Sequence, residues 1–114
     1  MTEKVEEIMV RDVKTASPDE TVLKTAEIMN RYEIGCVVVA EKGLPVGIVT
    51  ERDILKRVVV KRKDPAKTKL SEIMSKPLVA VAPDTTVTGA AKMMIKQNIK
   101  KLPVMTGDRL EGVL

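Results

Sequence analysis

Thr50 and Asp53 form the part of the sequence best suited to chemistry. They lie three positions apart and follow a short apolar run at residues 47–49. Thr50 can cap a helix that starts here, and Asp53 then falls at the third helical position, where a carboxylate completes a capping box and complements the helix dipole. The same carboxylate can accept hydrogen bonds from two ligand hydroxyls, and the free N–H groups of a helix start suit an anion. Capping alone explains the spacing, so a ligand role needs support from the rest of the chain.

Residue content excludes several catalytic arrangements. The chain contains no histidine and a single cysteine, Cys36. Ser–His–Asp and Cys–His nucleophile systems are therefore impossible, as is a zinc site that uses imidazole. No other nucleophile–base pair or metal-binding cluster is visible, so we expect a protein without catalytic residues, metal or cofactor. The lone cysteine cannot form an intrachain disulfide, which favours a reducing compartment and predicts a cytoplasmic location.

The net charge leaves the class of partner open. The 114 residues carry a formal net charge of +4, which suits anionic partners. Basic residues crowd positions 56–69, a pattern found on nucleic-acid-binding surfaces. However, Tyr32 is the only aromatic residue available for base stacking, so we favour a solvated helix face and expect no nucleic-acid partner. No apolar run reaches the roughly 18 residues needed to span a bilayer, which predicts no membrane partner.

An internal repeat organises the chain. Residues 5–9 (Val-Glu-Glu-Ile-Met) recur at residues 70–74 as Leu-Ser-Glu-Ile-Met, an offset of 65 residues. The same offset continues without a gap through the rest of the shared pattern. An ungapped match over a whole supersecondary unit indicates a duplicated fold. We predict the repeats to be residues 1–65 and 66–114.

Each repeat is predicted to begin with a short helical lead-in, a brief extended piece and a helix. Ser-Pro-Asp-Glu at residues 17–20 is typical of a helix start, because proline and acidic residues are favoured in the first turn. This helix should run to about Tyr32. Its buried face is predicted to contain Val22, Ala26 and Met29, at spacings i, i+4 and i+7, and the equivalent face of the second repeat Val87, Ala91 and Met94.

A strand hairpin and a second helix complete the first repeat. The apolar run at residues 36–40 predicts a buried strand, and Lys42-Gly43 should turn the chain into a partner strand at residues 46–49. A helix is expected to start after Thr50 and to reach about Lys61. The sequence thus predicts an α/β (α+β) fold made of β-α-β-β-α repeats, the second lacking its C-terminal helix.

The second repeat contains no equivalent of Thr50 or Asp53. The offset of 65 places Leu114 opposite Val49, so the matching hydroxyl and carboxylate are absent from the sequence. We therefore expect one complete site per chain. A repeat without its final helix would also expose apolar surface, which favours pairing with another chain.

The duplicated pattern resembles a tandem pair of CBS domains, also called a Bateman module. The matching motifs are Ser-Pro-Asp-Glu-Thr-Val, Tyr-Glu-Ile-Gly-Cys-Val-Val-Val, Gly-Leu-Pro-Val-Gly-Ile-Val-Thr-Glu-Arg-Asp-Ile and, in the second repeat, Asn-Ile-Lys-Lys-Leu-Pro-Val. In this family the two copies pack about a pseudo-twofold axis. Clefts between them commonly bind adenosine compounds such as AMP, ADP, ATP or S-adenosylmethionine, and modules often pair into dimers.

The resemblance implies a ligand sensor without catalysis, with AMP or ATP as the expected ligand and a homodimer as the expected assembly. Asp53 would bind the ribose hydroxyls, Thr50 would lie beside it, and two chain segments would form the walls of the adenine slot. Lys100 and Lys101 would reach phosphates, with Arg52 as a further phosphate ligand. The walls would be formed by Lys14, Thr15 and Ala16 on one side and by Gly35, Cys36 and Val37 on the other.

Simpler explanations exist for several of these residues. Gly35 could be a glycine that ends the preceding helix, Cys36 a small buried apolar residue, and the lysines a solvated pair. The alternative to a sensor is a CBS scaffold that associates with no ligand, or a module that binds S-adenosylmethionine.

Overall fold

The computed structural model describes residues 3–114, which divide into two compact units. The central unit contains residues 14–78, and the terminal unit contains residues 79–114 together with the N-terminal segment through Val13. The unit boundaries do not follow the sequence repeats. Residues 5–13, here called the first lead-in, lie in the unit of the second repeat, and the equivalent residues 70–78, the second lead-in, lie in the unit of the first repeat.

The central unit contains a mixed three-stranded sheet and three α-helices. The bounds are β1 Thr15–Ala16, α1 Val22–Tyr32, β2 Cys36–Glu41, β3 Leu44–Thr50, α2 Glu51–Ile54 and α3 Leu70–Ile73. The strands have the order β1-β2-β3, with β1 parallel to β2 and β2 antiparallel to β3. Helices α2 and α3 are short, and α2 continues as a π-helical segment at Leu55–Val59.

The terminal unit contains one long helix and an antiparallel hairpin. Its elements are a 3₁₀ turn at Val5–Glu7, α4 at Val87–Gln97, β4 at Pro103–Thr106 and β5 at Arg109–Val113. Val81 adds a single parallel bridge to Val104 of β4. The described residues thus form an α/β fold with four α-helices, as predicted in outline. No helix in residues 3–114 is long and apolar enough to cross a membrane.

Helix α1 starts one turn later than predicted. Residues 17–20 form a turn, in which the Glu20 N–H donates to the Ser17 carbonyl at 3.1 Å. The cap is Thr21, whose hydroxyl oxygen accepts from the Lys24 N–H at 3.2 Å. Thr21 itself has an extended backbone, as the residue that caps a helix N-terminus does, so the helix begins at Val22.

The predicted buried faces of the two long helices are partly correct: Val87 and Met94 of α4 and Ala26 of α1 are half-buried. Val22 and Met29 are buried, but Thr25 is the fully buried residue between them, and its hydroxyl donates to the Thr21 carbonyl at 3.0 Å. In α4 the buried alanine is Ala90, and Ala91 is exposed. Positions i+3 and i+4 flank the same stripe of a helix, and the neighbouring elements decide which of them is covered.

Both cores depend on residues from an exchanged lead-in. Leu70 and Ile73 of the second lead-in are buried against three valines of the first repeat, Val22, Val39 and Val49. In the terminal unit, Val5 and Met9 of the first lead-in pack in a cluster of residues from the second repeat, which consists of Val81, Ala90, Leu102 and Val104.

Glycines in β3 and β5 let the lead-ins approach the sheets. A Cβ at Gly47 would lie 2.9 Å from Met74 Sδ and 3.0 Å from the Ser75 carbonyl oxygen. A Cβ at Gly112 would lie 2.7 Å from Met9 Sδ, with a backbone oxygen of the first lead-in at 2.8 Å. At Gly112 the 2.8 Å contact with backbone excludes a Cβ unless the chain shifts, whereas at Gly47 the methionine side chain can move and the carbonyl would have to give way by a few tenths of an ångström. In the central unit this contact brings Ser75 next to the end of β3.

Candidate functional site

Strand pairing brings three predicted site segments together in the central unit. Thr15 of β1 pairs with Val38 of β2, and Cys36 at the start of β2 pairs with Thr50 at the end of β3. The Glu51 N–H donates to the Gly35 carbonyl at 3.2 Å. Residues 14–16, 35–37 and 50–53, which are distant in sequence, are therefore neighbours at one part of the sheet.

Asp53 lies at the first turn of α2 and is 6% exposed. Its Oδ2 accepts hydrogen bonds from the Thr50 N–H at 2.9 Å and from the Thr50 hydroxyl at 3.1 Å. The Asp53 N–H donates to Thr50 Oγ1 at 3.3 Å, which completes the predicted capping box. The carboxylate thus points into the protein, where the lower polarity strengthens each hydrogen bond it accepts.

Two further residues meet the Asp53 carboxylate and were missed from the sequence. Ser75 of the second lead-in donates its hydroxyl to Oδ1 at 2.8 Å. Arg57 Nε lies 4.0 Å from the same oxygen, while its Nη1 donates to the carbonyls of Ile73 and Met74 at 3.0 and 3.1 Å. Arg57 follows Asp53 by four residues and could have been found from helical spacing. Ser75 is 22 residues away, and only the packing of the second lead-in reveals it.

The remaining predicted residues of the central unit differ in accessibility. Cys36 and Val37 are buried, which agrees with Cys36 as a small buried residue. Thr15 is exposed, and Lys14 Nζ lies 4.4 Å from the centre of the Tyr32 ring, a cation–π contact. Ala16, Gly35 and Arg52 are half-buried.

Gly35 does not end helix α1, so that simpler explanation for it is wrong. The residue in the left-handed conformation is Glu33, with φ 53°. The Glu33 N–H donates to Asn30 and the Ile34 N–H to Met29, which closes the helix two residues before Gly35. A glycine is not needed for the cap, because the chain has already turned at a residue that carries a side chain.

Lys100 and Lys101 belong to the terminal unit and immediately precede β4. Lys100 is exposed and Lys101 is half-buried. The phosphate role of both lysines, and that of Arg52, stays a prediction.

An open groove of about 620 Å³ lies on the central unit along α1. It shares Lys14 and Thr15 with the predicted site, but neither Thr50 nor Asp53 lines it. Its wall combines basic, acidic and apolar side chains, formed by Lys14, Thr15, Thr21, Leu23, Lys24, Glu27, Ile28, Arg31, Tyr32 and Ala66. The groove is therefore a feature of the α1 surface, separate from the Asp53 carboxylate.

The sequence matches the family model of the CBS domain twice, over residues 5–60 and 70–114. Among curated proteins, it is 41% identical over 112 residues to an uncharacterised protein of Methanopyrus kandleri, a match that covers 96% of this chain. The chain spans 57% of the length of that relative.

Solved structures share the fold. A hexameric CBS-CP12 protein from bloom-forming cyanobacteria matches with a TM-score of 0.93 at 32% identity, over 100% of this chain and 68% of that one. A candidate signal-transduction protein with CBS domains from Burkholderia ambifaria matches with a TM-score of 0.87 at 28% identity, over 91% of this chain and 76% of that one. The chain therefore belongs to the CBS domain family and carries a tandem pair of CBS domains.

Proposed function

We propose that this CBS domain pair, a regulatory module, binds an adenosine nucleotide such as AMP or ATP through its central unit and has no catalytic activity. The observation that carries the proposal is the convergence of residues 14–16, 35–37 and 50–53 next to a buried carboxylate. In this arrangement Asp53 binds the ribose hydroxyls, and the first two segments contact the base.

The chemistry of Asp53 suits a sugar diol. An ionised carboxylate only accepts hydrogen bonds and offers two oxygens side by side, so it can bind both hydroxyls of a ribose. Because the residue is 6% exposed, little water competes for these bonds, and bonds to a charged acceptor are the stronger class. Thr15 of β1 is exposed, and Gly35 lacks a Cβ, which permits the close approach of a planar base.

Ligand binding regulates only if the ligand favours one of two conformations. A ligand of equal affinity for both states shifts neither. The proposal therefore includes a second conformation of the module with a lower affinity for the nucleotide.

Calorimetry on matched variants tests the ribose contact. AMP, ADP, ATP, S-adenosylmethionine and NADH are titrated into the wild type, into Asp53→Asn, and into Glu51→Gln as a control. Glu51 is exposed in the same helical turn, so its replacement removes a charge while the Asp53 carboxylate and its hydrogen bonds stay in place. We expect Asp53→Asn to weaken AMP binding by about 10- to 100-fold, because a hydrogen bond to a charged group contributes roughly 1.5–3 kcal/mol.

A ligand analogue separates a ribose contact from loss of folding. With 2′,3′-dideoxy-AMP the wild type should bind as weakly as Asp53→Asn binds AMP, and the two losses should not add. Thermal unfolding confirms that the variant is folded. No binding of any of the five ligands by the wild type would refute the proposal, as would equal AMP affinity of wild type and Asp53→Asn.

An association scaffold is the second candidate function, since apolar side chains remain exposed beyond α2. Leu55, Val59 and Val60 are 57%, 61% and 66% exposed, and exposed apolar side chains grouped in one segment are typical of an interaction site. A homodimer, with or without a ligand, would cover it. Analytical ultracentrifugation that shows a concentration-dependent oligomer, together with no nucleotide-induced thermal shift, would favour this function.

A further inference from the structure

The Asp53 carboxylate already accepts hydrogen bonds from more donors of the chain than a helix cap requires. A carboxylate offers about four lone-pair positions. Thr50 fills two of them on Oδ2, and the Ser75 hydroxyl fills one on Oδ1 at 2.8 Å. Three of the four positions are thus filled, and a ribose diol, which needs two positions, has to displace one of these donors.

Of these donors, the Ser75 hydroxyl is the one that can leave at the lowest cost. The Thr50 bonds are part of the capping box that starts α2. The backbone of Ser75 is held independently, since its N–H donates to the Ile48 carbonyl at 2.8 Å and its carbonyl accepts from the Ile48 N–H at 3.1 Å. Rotation about χ1 of Ser75 thus breaks one side-chain hydrogen bond and leaves the backbone bridge intact.

Arg57 gives the second lead-in a further attachment. Its guanidinium donates to the carbonyls of Ile73 and Met74, next to Ser75. The lead-in consequently stays in place when the Ser75 hydroxyl turns away.

We infer that Ser75 sets the affinity and the ribose specificity of the Asp53 site, because its hydroxyl competes with a ligand hydroxyl for Oδ1. This inference rests on the proposed function. In this role the Ser75 hydroxyl lowers the affinity for any ligand hydroxyl that has to displace it from Oδ1.

The test compares Ser75→Ala with Ser71→Ala, an exposed serine of α3 that serves as the control. Both are titrated with AMP and with 2′,3′-dideoxy-AMP, in the wild-type and the Asp53→Asn backgrounds. Ser75→Ala should bind AMP about 10- to 100-fold more tightly than the wild type, because the ligand no longer has to break a hydrogen bond to a charged acceptor. The gain should disappear with the dideoxy analogue and in the Asp53→Asn background, whereas Ser71→Ala should match the wild type throughout.

The outcomes separate this inference from the proposed function. Equal or weaker AMP binding by Ser75→Ala overturns the inference and leaves the function in place. A gain of the same size for AMP and its dideoxy analogue also overturns it, because the gain would not involve the ribose. Absence of AMP binding by both wild type and Ser75→Ala overturns the function as well. If Ser75→Ala does not fold, Ser75→Cys keeps the side-chain size with a weaker donor, and should shift the AMP affinity in the same direction.

Discussion

The central and terminal units share a duplicated sequence pattern but differ in their sheets. In the central unit β1 pairs with β2 and β2 with β3, and β3 continues into α2, whose first turn carries the buried carboxylate of Asp53. In the terminal unit β4 and β5 form a hairpin, and the equivalent of β1 is a single bridge between Val81 and Val104. The comparison shows that the repeat supplies a strand hairpin and an apolar core in both units, whereas the first extended segment forms a full strand pair in the central unit alone among the described residues.

The two units are alike in how they use the lead-ins. Val5 and Leu70 occupy equivalent sequence positions, and each is completely buried in the unit formed mainly by the other repeat. Each unit consequently needs residues from both repeats to complete its core. The exchange makes the two repeats interdependent for stability although each has its own sheet.

The largest expected effect is that of Leu70→Ala. The substitution should destabilise the chain by about 2–5 kcal/mol, because it removes a fully buried leucine and leaves a cavity. Hydrogen exchange should accelerate first in β2 and β3 of the first repeat, although Leu70 belongs to the second. Val5→Ala is the matched variant, with a loss of about 2 kcal/mol for two buried carbons and faster exchange in β4 and β5. Faster exchange in β4 and β5 for Leu70→Ala would contradict the exchange of lead-ins.

A smaller effect is expected where glycine permits the contact between strand and lead-in. Gly112→Ala should cost about 1–3 kcal/mol, the usual range for overpacking, because a backbone oxygen lies 2.8 Å from the new Cβ, and Gly47→Ala should cost less, because its backbone contact is at 3.0 Å. Chemical denaturation measures both, with the exposed Glu41→Ala as the control. If either alanine variant has the same free energy of unfolding as the wild type, the close approach of the lead-in to the strand in that unit is wrong.

The smallest effect concerns the caps of α1 and α4. Both helices end in a left-handed residue, Glu33 with φ 53° in the central unit and Asn98 with φ 53° in the terminal unit. Asparagine adopts this conformation more easily than glutamate. Glu33→Asn should therefore stabilise the chain by up to about 1 kcal/mol, and Asn98→Glu should destabilise it by a similar amount. Thermal unfolding of both variants measures the difference, and changes of the same sign in both would contradict this account.

Site residues that interact over a few positions of the sequence could be predicted, whereas those that interact over many positions could not. Thr50, Asp53 and Arg57 are linked by spacings of three and four residues along one helical segment, so local patterns are sufficient to associate them. Ser75 reaches Asp53 only because Gly47 lets the second lead-in pack on β3. Similarly, the start of α1 was misplaced because Ser-Pro-Asp-Glu suits a turn as well as a helix start.

The sequence by itself determined the duplication, the strand hairpins and the capping box. The hairpins and the capping box depend on contacts between residues close in sequence, and the duplication is visible as a repeated pattern. Only the tertiary structure decided which lead-in joins which unit, and hence that Ser75 donates to Asp53. The two lead-ins carry nearly the same apolar pattern, so hydrophobicity suits either unit equally well. The bridges at Ile48 and Val113 and the glycines beside them also repeat at the offset of 65 residues, so no local pattern distinguishes the two arrangements.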